Sequence, residues 1–238
     1  MPQYYPIMLD VRNRHAIVIG GDRVAAEKAA ALSASGARVV VQSEQFCDEV
    51  LALAERGAVT LRRKAYTRGD LAGFFVVVAA TGNSALTEQI WDEAQERGQL
   101  INSVDVPARC NFIVPSILRR GQLTIAVSTE GASPGLAKRI REQLEPHFPP
   151  AYDAYLRLAA AARTYLRQSD LSYEQRDEFF GDFFHSDILN QLTAGNDAQA
   201  IALTVALLKR CGLDVAPEAI SGELKGNETV QARRGDKM

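Results

Sequence analysis

Apolar residues in this chain fall into short blocks with two different periods. Residues 16–20 (AIVIG), 39–41 (VVV) and 74–80 (FFVVVAA) are continuous apolar runs rich in β-branched side chains. Such runs suit strands of a parallel sheet that is covered on both faces. Between the first two lies a small-residue stretch with helical spacing, stopped by Gly36. Residues 46–56 have helical periodicity, 59–62 read as a short strand, and 87–97 form a further helix with Gly98 as its stop. Residues 100–104 then make a strand that delivers Asp105 to its C-terminal end. Strands that alternate with crossover helices predict an α/β architecture, a Rossmann-like parallel sheet domain.

The rhythm changes from Cys110 onwards. Two strand-like runs flank Arg119-Arg120-Gly121, a hairpin-type turn, and Ser133-Pro134 opens a helix with serine as cap and proline in the first turn. That helix stops before Pro146, and Pro149-Pro150 mark a boundary. Helical patterns at 152–167, 173–184 and 198–211 follow, and the polar, glycine-bearing stretch after Pro217 predicts disorder. The expected organisation is a sheet domain over 1–113 and a crossing segment over 114–148. A small C-terminal helical domain covers 149–216, and 217–238 form a disordered tail.

Composition narrows the function classes. With 47% hydrophobic and 24% charged residues, the 238-residue chain reads as an ordinary globular protein. A net charge of −2 gives no footprint for nucleic acid or a membrane surface. No apolar run approaches the roughly 20 residues needed to span a bilayer, and the N-terminus lacks a secretory pattern, so the expected address is cytoplasmic. Cys47, Cys110 and Cys211 are scattered, as are His15, His147 and His185, which argues against a disulfide framework or a metal cage.

The chemistry concentrates in the first unit. Gly20, Gly21, Asp22, Arg23 and Val24 join the first strand to the first helix, where a dinucleotide pyrophosphate sits over exposed helix amides. The G-x-G-x-x-G/A fingerprint falls on Gly20, Asp22 and Ala25, so a carboxylate stands at the middle glycine position. Either it repels the phosphates, offset in part by Arg23, or it turns to cap the helix. Glu44, with Gln45 beside it, lies near the roughly 20-residue spacing of a ribose-reading carboxylate, although a solvated loop glutamate fits equally. The Gly20 turn, the Glu44 loop, the Thr81-Gly82-Asn83 loop and Asp105 should all line one sheet edge. Asp105 is a candidate proton acceptor; a turn-forming aspartate before Pro107 is the alternative.

With these segments in place, the chain resembles the precorrin-2 dehydrogenase family, the dehydrogenase/ferrochelatase module of siroheme synthases and its stand-alone relatives. The resemblance is carried by Tyr5-Pro6-Ile7 with Leu9-Asp10, Val18-Ile19-Gly20-Gly21 with Val24-Ala25 and Lys28, and Gly36-Ala37. Further on come Ala79-Ala80-Thr81, Asn102-Ser103-Val104-Asp105, Phe112-Ile113-Val114-Pro115-Ser116, and Ile125-Ala126-Val127-Ser128 leading into Ala132-Ser133-Pro134. It covers roughly residues 3 to 145. It implies a homodimer that uses NAD to oxidise precorrin-2 to sirohydrochlorin, with insertion of ferrous iron in some members. It also implies that Asp105 is the key catalytic residue and that the segment after it builds the dimer.

A polycarboxylate tetrapyrrole calls for cations and hydrogen-bond donors, and Arg109, Arg119, Arg120, Lys138 and Ser128 are the candidates. For Arg139 and Arg141 a solvated helix face is the better reading. The chain departs from the family at Asp22, where many relatives carry a third glycine, and at Thr129-Glu130, where they carry serine and glycine. Asp22 keeps open a chelatase with weakened use of NAD, and a nucleotide- or tetrapyrrole-binding module without turnover is a separate alternative.

Overall fold

The computed structural model describes residues 3–225, which divide into two compact units at Val114/Pro115. In the first unit, strands β1 (His15–Ile19), β2 (Arg38–Ser43), β3 (Val59–Arg63), β4 (Val76–Ala79) and β5 (Leu100–Ser103) form one all-parallel sheet in the order β3-β2-β1-β4-β5. Helices α1 (Arg23–Ala34), α2 (Asp48–Glu55) and α3 (Ser84–Glu96) are the crossovers.

Side chains alternate across a strand, so β1 feeds two separate cores. Ala16 and Val18 pack with Val39, Val41 and the alanines of α1 on one face, whereas Ile17 and Ile19 pack with Val77, Ile101 and Ile90 of α3 on the other. Small residues at Ala25, Ala26 and Ala29 let α1 approach the sheet closely. A mononucleotide-binding order of this kind places ligands beyond the C-terminal strand ends.

The second unit opens with a hairpin of β6 (Ser116–Arg120) and β7 (Leu123–Val127), followed by α4 (Pro134–Leu144). Helices α5 (Tyr152–Gln168), α6 (Tyr173–His185), α7 (Ile188–Thr193), α8 (Asp197–Arg210) and α9 (Pro217–Lys225) share a core that includes Leu158, Ala162, Phe179, Phe183, Ile188 and Leu208.

Two sequence expectations need correcting. The stretch from residue 217, expected to be disordered, is helical as far as Lys225, because Ile220 and Leu224 are buried against the bundle; residues 226–238 lie outside the described residues. The crossing segment and the helical domain, expected to be separate, are one unit. The Arg120 guanidinium donates to the Phe148 carbonyl at 2.8 Å, and the Gly121 turn abuts Asp153 so closely that a Cβ there would lie 1.8 Å from its carboxylate.

Candidate functional site

Four loops meet at the C-terminal edge of the parallel sheet around a cavity of about 320 Å³. Gly20, Ser43, Glu44, Tyr66, Thr81 and Asn83 are among its lining residues. Gly20 sits at φ +144°, and a Cβ there would lie 2.0 Å from the Ala80 carbonyl. A Cβ on Gly21 would lie 1.9 Å from the Gln45 carbonyl. Both glycines are therefore required by close backbone approach, which lets the β1–α1 turn lie flat against the two neighbouring loops.

Asp22 is the N-cap of α1. Its Oδ1 accepts the Ala25 amide at 2.9 Å, so one of the helix's open donors is already taken by a carboxylate. The amides of Arg23 and Val24 make no hydrogen bond among the described residues, and they remain for an anion. The Arg23 guanidinium does not cover Asp22; it lies 3.5 Å from Glu49, and Arg23 and Val24 line a separate depression between α1 and α2. Glu44 is exposed at the end of the β2 loop, and Thr81 Oγ1 accepts the Asn83 amide at 3.2 Å. Asn83 caps α3 through the Leu86 amide, so a second helix N-terminus starts at the same edge.

This edge fits a dinucleotide. The tight glycine turn brings the start of α1 to this edge with two open amides that an anion can meet, and Glu44 stands exposed at the end of the neighbouring β2 loop. The Asp22 carboxylate is the one discordant group.

Asp105 follows the end of β5 by two residues, on the same C-terminal edge. Its backbone is left-handed at φ +59°, and its exposed carboxylate makes no hydrogen bond among the described residues. Aspartate is one of the few non-glycine residues that enter this region readily. Nearby, Arg109 Nε donates to Glu88 at 2.7 Å and its guanidinium lies 5.9 Å from the Trp91 ring centre, so this cation is held by its own unit.

The remaining predicted substrate contacts belong to the second unit. Arg119 is exposed and has no ion pair among the described residues, whereas Arg120 is committed to the Phe148 and Arg119 carbonyls. Lys138 reaches Glu142 at 3.9 Å. Ser128 Oγ accepts the Glu130 amide at 3.0 Å, and Ser133 caps α4 through Leu136. Glu130, the departure noted in the sequence, occupies a left-handed φ of +52°, a conformation that glycine adopts without strain.

Several groups at this edge were not singled out by the sequence. Gln42 is fully buried and bridges Asp70, the Ala65 carbonyl and Arg62. Glu93 of α3 is likewise buried; it accepts from Tyr66 at 2.5 Å, the Gly69 and Leu71 amides at 2.8 and 3.2 Å, and Arg97 at 2.8 Å. Burial alone would raise its pKa, but these donors together hold it below the ordinary carboxylate value. Burial and the adjacent Glu93 charge push the Tyr66 phenol up, which keeps it a neutral donor.

Glu93 thus anchors the loop that carries Tyr66 to the cavity. Glu93→Gln is expected to destabilise the fold by about 2–3 kcal/mol at neutral pH, because donors lose their charged acceptor. With a folded pKa below the unfolded value of about 4.3, this contribution is complete above that pH and drains away as pH falls through the folded pKa. Urea unfolding midpoints of the two proteins should therefore converge on acidification; a constant gap would show that the charge is not responsible.

Residues 7–116 match the family model described as putative NAD(P)-binding, and residues 120–147 match that of the sirohaem biosynthesis protein central region. The siroheme synthase of Nitrosococcus oceani is 33% identical over 207 residues, covering 87% of this chain and 44% of that protein. That of Pseudomonas aeruginosa is 34% identical over 197 residues, covering 83% and 42%. The chain spans less than half the length of these relatives. Among solved structures, SirC, precorrin-2 dehydrogenase, superposes with a TM-score of 0.71 at 25% identity, covering 84% of this chain and 98% of that one. Among the described residues no helix is long and apolar enough to cross a membrane.

Proposed function

This chain belongs to the precorrin-2 dehydrogenase and siroheme synthase family, and on that premise we propose that it oxidises precorrin-2 to sirohydrochlorin with NAD. The observation that carries the reading is that one C-terminal sheet edge bears both a tight glycine turn opening α1 with two free amides and an unpartnered carboxylate, Asp105.

The oxidation removes a hydride and a proton from the tetrapyrrole. NAD, when bound, supplies the hydride acceptor. The α1 amides of Arg23 and Val24, presented by the tight Gly20-Gly21 turn, would hold the pyrophosphate, and Glu44 with Gln45 would read the adenosine ribose. Thr81 borders the cavity. The Asp105 carboxylate takes the proton, and its freedom from other hydrogen bonds leaves both oxygens able to accept it. Arg119, Lys138 and Ser128 are the second unit's contacts for the substrate's acidic side chains, with the exposed Arg119 the strongest of them. We assign Arg109 and Arg120 a structural role first, given their occupied guanidinium groups. The reading includes a cytoplasmic homodimer, with ferrous iron as a further substrate if sirohydrochlorin is metallated.

A second reading is favoured by one observation. Asp22 occupies an amide at the pyrophosphate position with a negative charge, which suits a sirohydrochlorin chelatase that has weakened its use of NAD. The test is to incubate the protein with precorrin-2, with and without NAD, and follow the absorbance of sirohydrochlorin. NAD-dependent conversion that disappears in Asp105→Ala is the expected result. No conversion, together with iron insertion into supplied sirohydrochlorin, would replace the dehydrogenase by the chelatase. Binding of the tetrapyrrole without either reaction would leave a carrier.

A further inference from the structure

The strand that presents Asp105 is an edge strand, since β5 has a neighbour only on the β4 side. Its open edge is closed by the returning segment 110–112, largely through side chains. The Asn111 amide donates to the Ile101 carbonyl at 3.0 Å, and Asn111 Oδ1 accepts the Ile101 amide at 2.7 Å. Asn111 Nδ2 donates to the Gln99 carbonyl at 2.7 Å, and Asn102 Nδ2 donates to the Phe112 carbonyl at 3.1 Å. Backbone and amide groups thus satisfy the strand as far as Asn102.

Above Asn102 the sulfur of Cys110 takes over. Sγ accepts the Ser103 amide at 3.2 Å and lies 3.3 Å from the Ser103 carbonyl and 3.5 Å from the Val106 carbonyl, to either of which its S–H can donate. Ser103 and Val106 are the two ends of the turn, joined by a 3.2 Å backbone bond, and Asp105 lies between them in its left-handed conformation. One sulfur therefore touches both ends of the turn that carries the carboxylate.

Among the described residues no other side chain bonds both ends of this turn. The Ser103 hydroxyl is buried without a partner among the described residues, and the Asp105 carboxylate makes no bond that could steer it. The direction of the carboxylate is set by the turn's backbone alone. Burial pushes the Cys110 thiol up, so it keeps the proton it donates.

We propose that Cys110 is a positioning residue for Asp105, its thiol bracing both ends of the turn so that the carboxylate is held toward the sheet edge. This rests on Asp105 being the proton acceptor. The backbone bonds from the Val104 amide to the Ala79 carbonyl and from the Val106 amide to the Ser103 carbonyl hold the left-handed turn, and the sulfur adds a contact at each of its ends. Misplacing a catalytic group by about 1 Å can cost up to roughly a hundredfold in rate.

The test uses the full chain with three substitutions: Cys110→Val, which keeps bulk without hydrogen bonding, Cys110→Ala, and Cys110→Ser, which keeps a donor and acceptor. The first two should lower kcat for precorrin-2 oxidation roughly ten- to hundredfold. The NAD dissociation constant, read by fluorescence titration, should stay within about twofold, and Cys110→Ser should recover most of the rate. Placed on Asp105→Asn, Cys110→Val should cost nothing further, since the group it positions is gone. Wild-type kcat in the valine and alanine proteins would overturn the proposal. So would an equal loss in the serine protein, or a full additional loss on top of Asp105→Asn. If the valine protein does not fold, the smaller alanine carries the same comparison. Activity surviving in Asp105→Asn alone would instead retire the reading of Asp105, and the two failures are told apart by that single protein.

Discussion

Asp105→Asn should lower kcat for precorrin-2 oxidation by about three orders of magnitude, within the usual range for loss of a general base, while NAD binds as before. Asparagine is the informative replacement because it enters the left-handed region as readily as aspartate does. At φ +59° the turn between Ser103 and Val106 can then persist, and the loss reports the missing carboxylate rather than a collapsed loop. Alanine removes the base but adds backbone strain, so its larger effect would mix two causes. Steady-state rates with saturating NAD, paired with a direct NAD titration, separate chemistry from cofactor affinity. A rate within about tenfold of wild type would mean that solvent takes the proton and that Asp105 serves the turn alone.

The elements that position this site were legible because their residues are governed by local physics. A continuous apolar run such as 74–80 has few uses other than a strand covered on both faces, and β4 is the core of that run. Gly20 and Gly36 announced turns because only glycine adopts φ of +144° or +88° without strain. What stayed hidden depends on partners distant along the chain. Glu93 reads as one more acidic residue on an exposed helix, yet its donors at Tyr66, Gly69 and Leu71 arrive from a loop more than 20 residues earlier.

The same holds for the cations. Arg109 and Arg120 look available in sequence, but Glu88 and the Phe148 carbonyl engage them in the fold. Cys110 carried no sequence signal at all, since a single thiol between Arg109 and Asn111 fits neither a disulfide nor a metal pattern. The polar stretch after Pro217 misled for the opposite reason: two apolar residues, Ile220 and Leu224, suffice to fix a helix onto an existing core.

Asp22→Gly is expected to lower the KM for NAD by about tenfold or more at low salt, with kcat little changed. Two unit charges about 4 Å apart at an effective dielectric near 20 repel by about 4 kcal/mol, which sets the upper limit of the gain. Two features of the fold keep that repulsion from being cancelled. The Arg23 guanidinium is turned to Glu49, and the carboxylate is fixed at the helix start by its 2.9 Å bond from the Ala25 amide. Reorientation and screening reduce the effect below the limit. The helix itself should tolerate the change, since glycine in place of an aspartate cap costs only a few tenths of a kcal/mol. Asp22→Asn separates the two contributions: it keeps a capping oxygen on Ala25 but removes the charge. If repulsion dominates, asparagine recovers most of the affinity gained by glycine. If occupation of the Ala25 amide dominates, only glycine does. Salt supplies an independent check, because raising ionic strength should lower the wild-type KM toward that of the variants. An unchanged KM in both proteins would mean that the Asp22 carboxylate does not face the cofactor, and the case for weakened NAD use would fall with it.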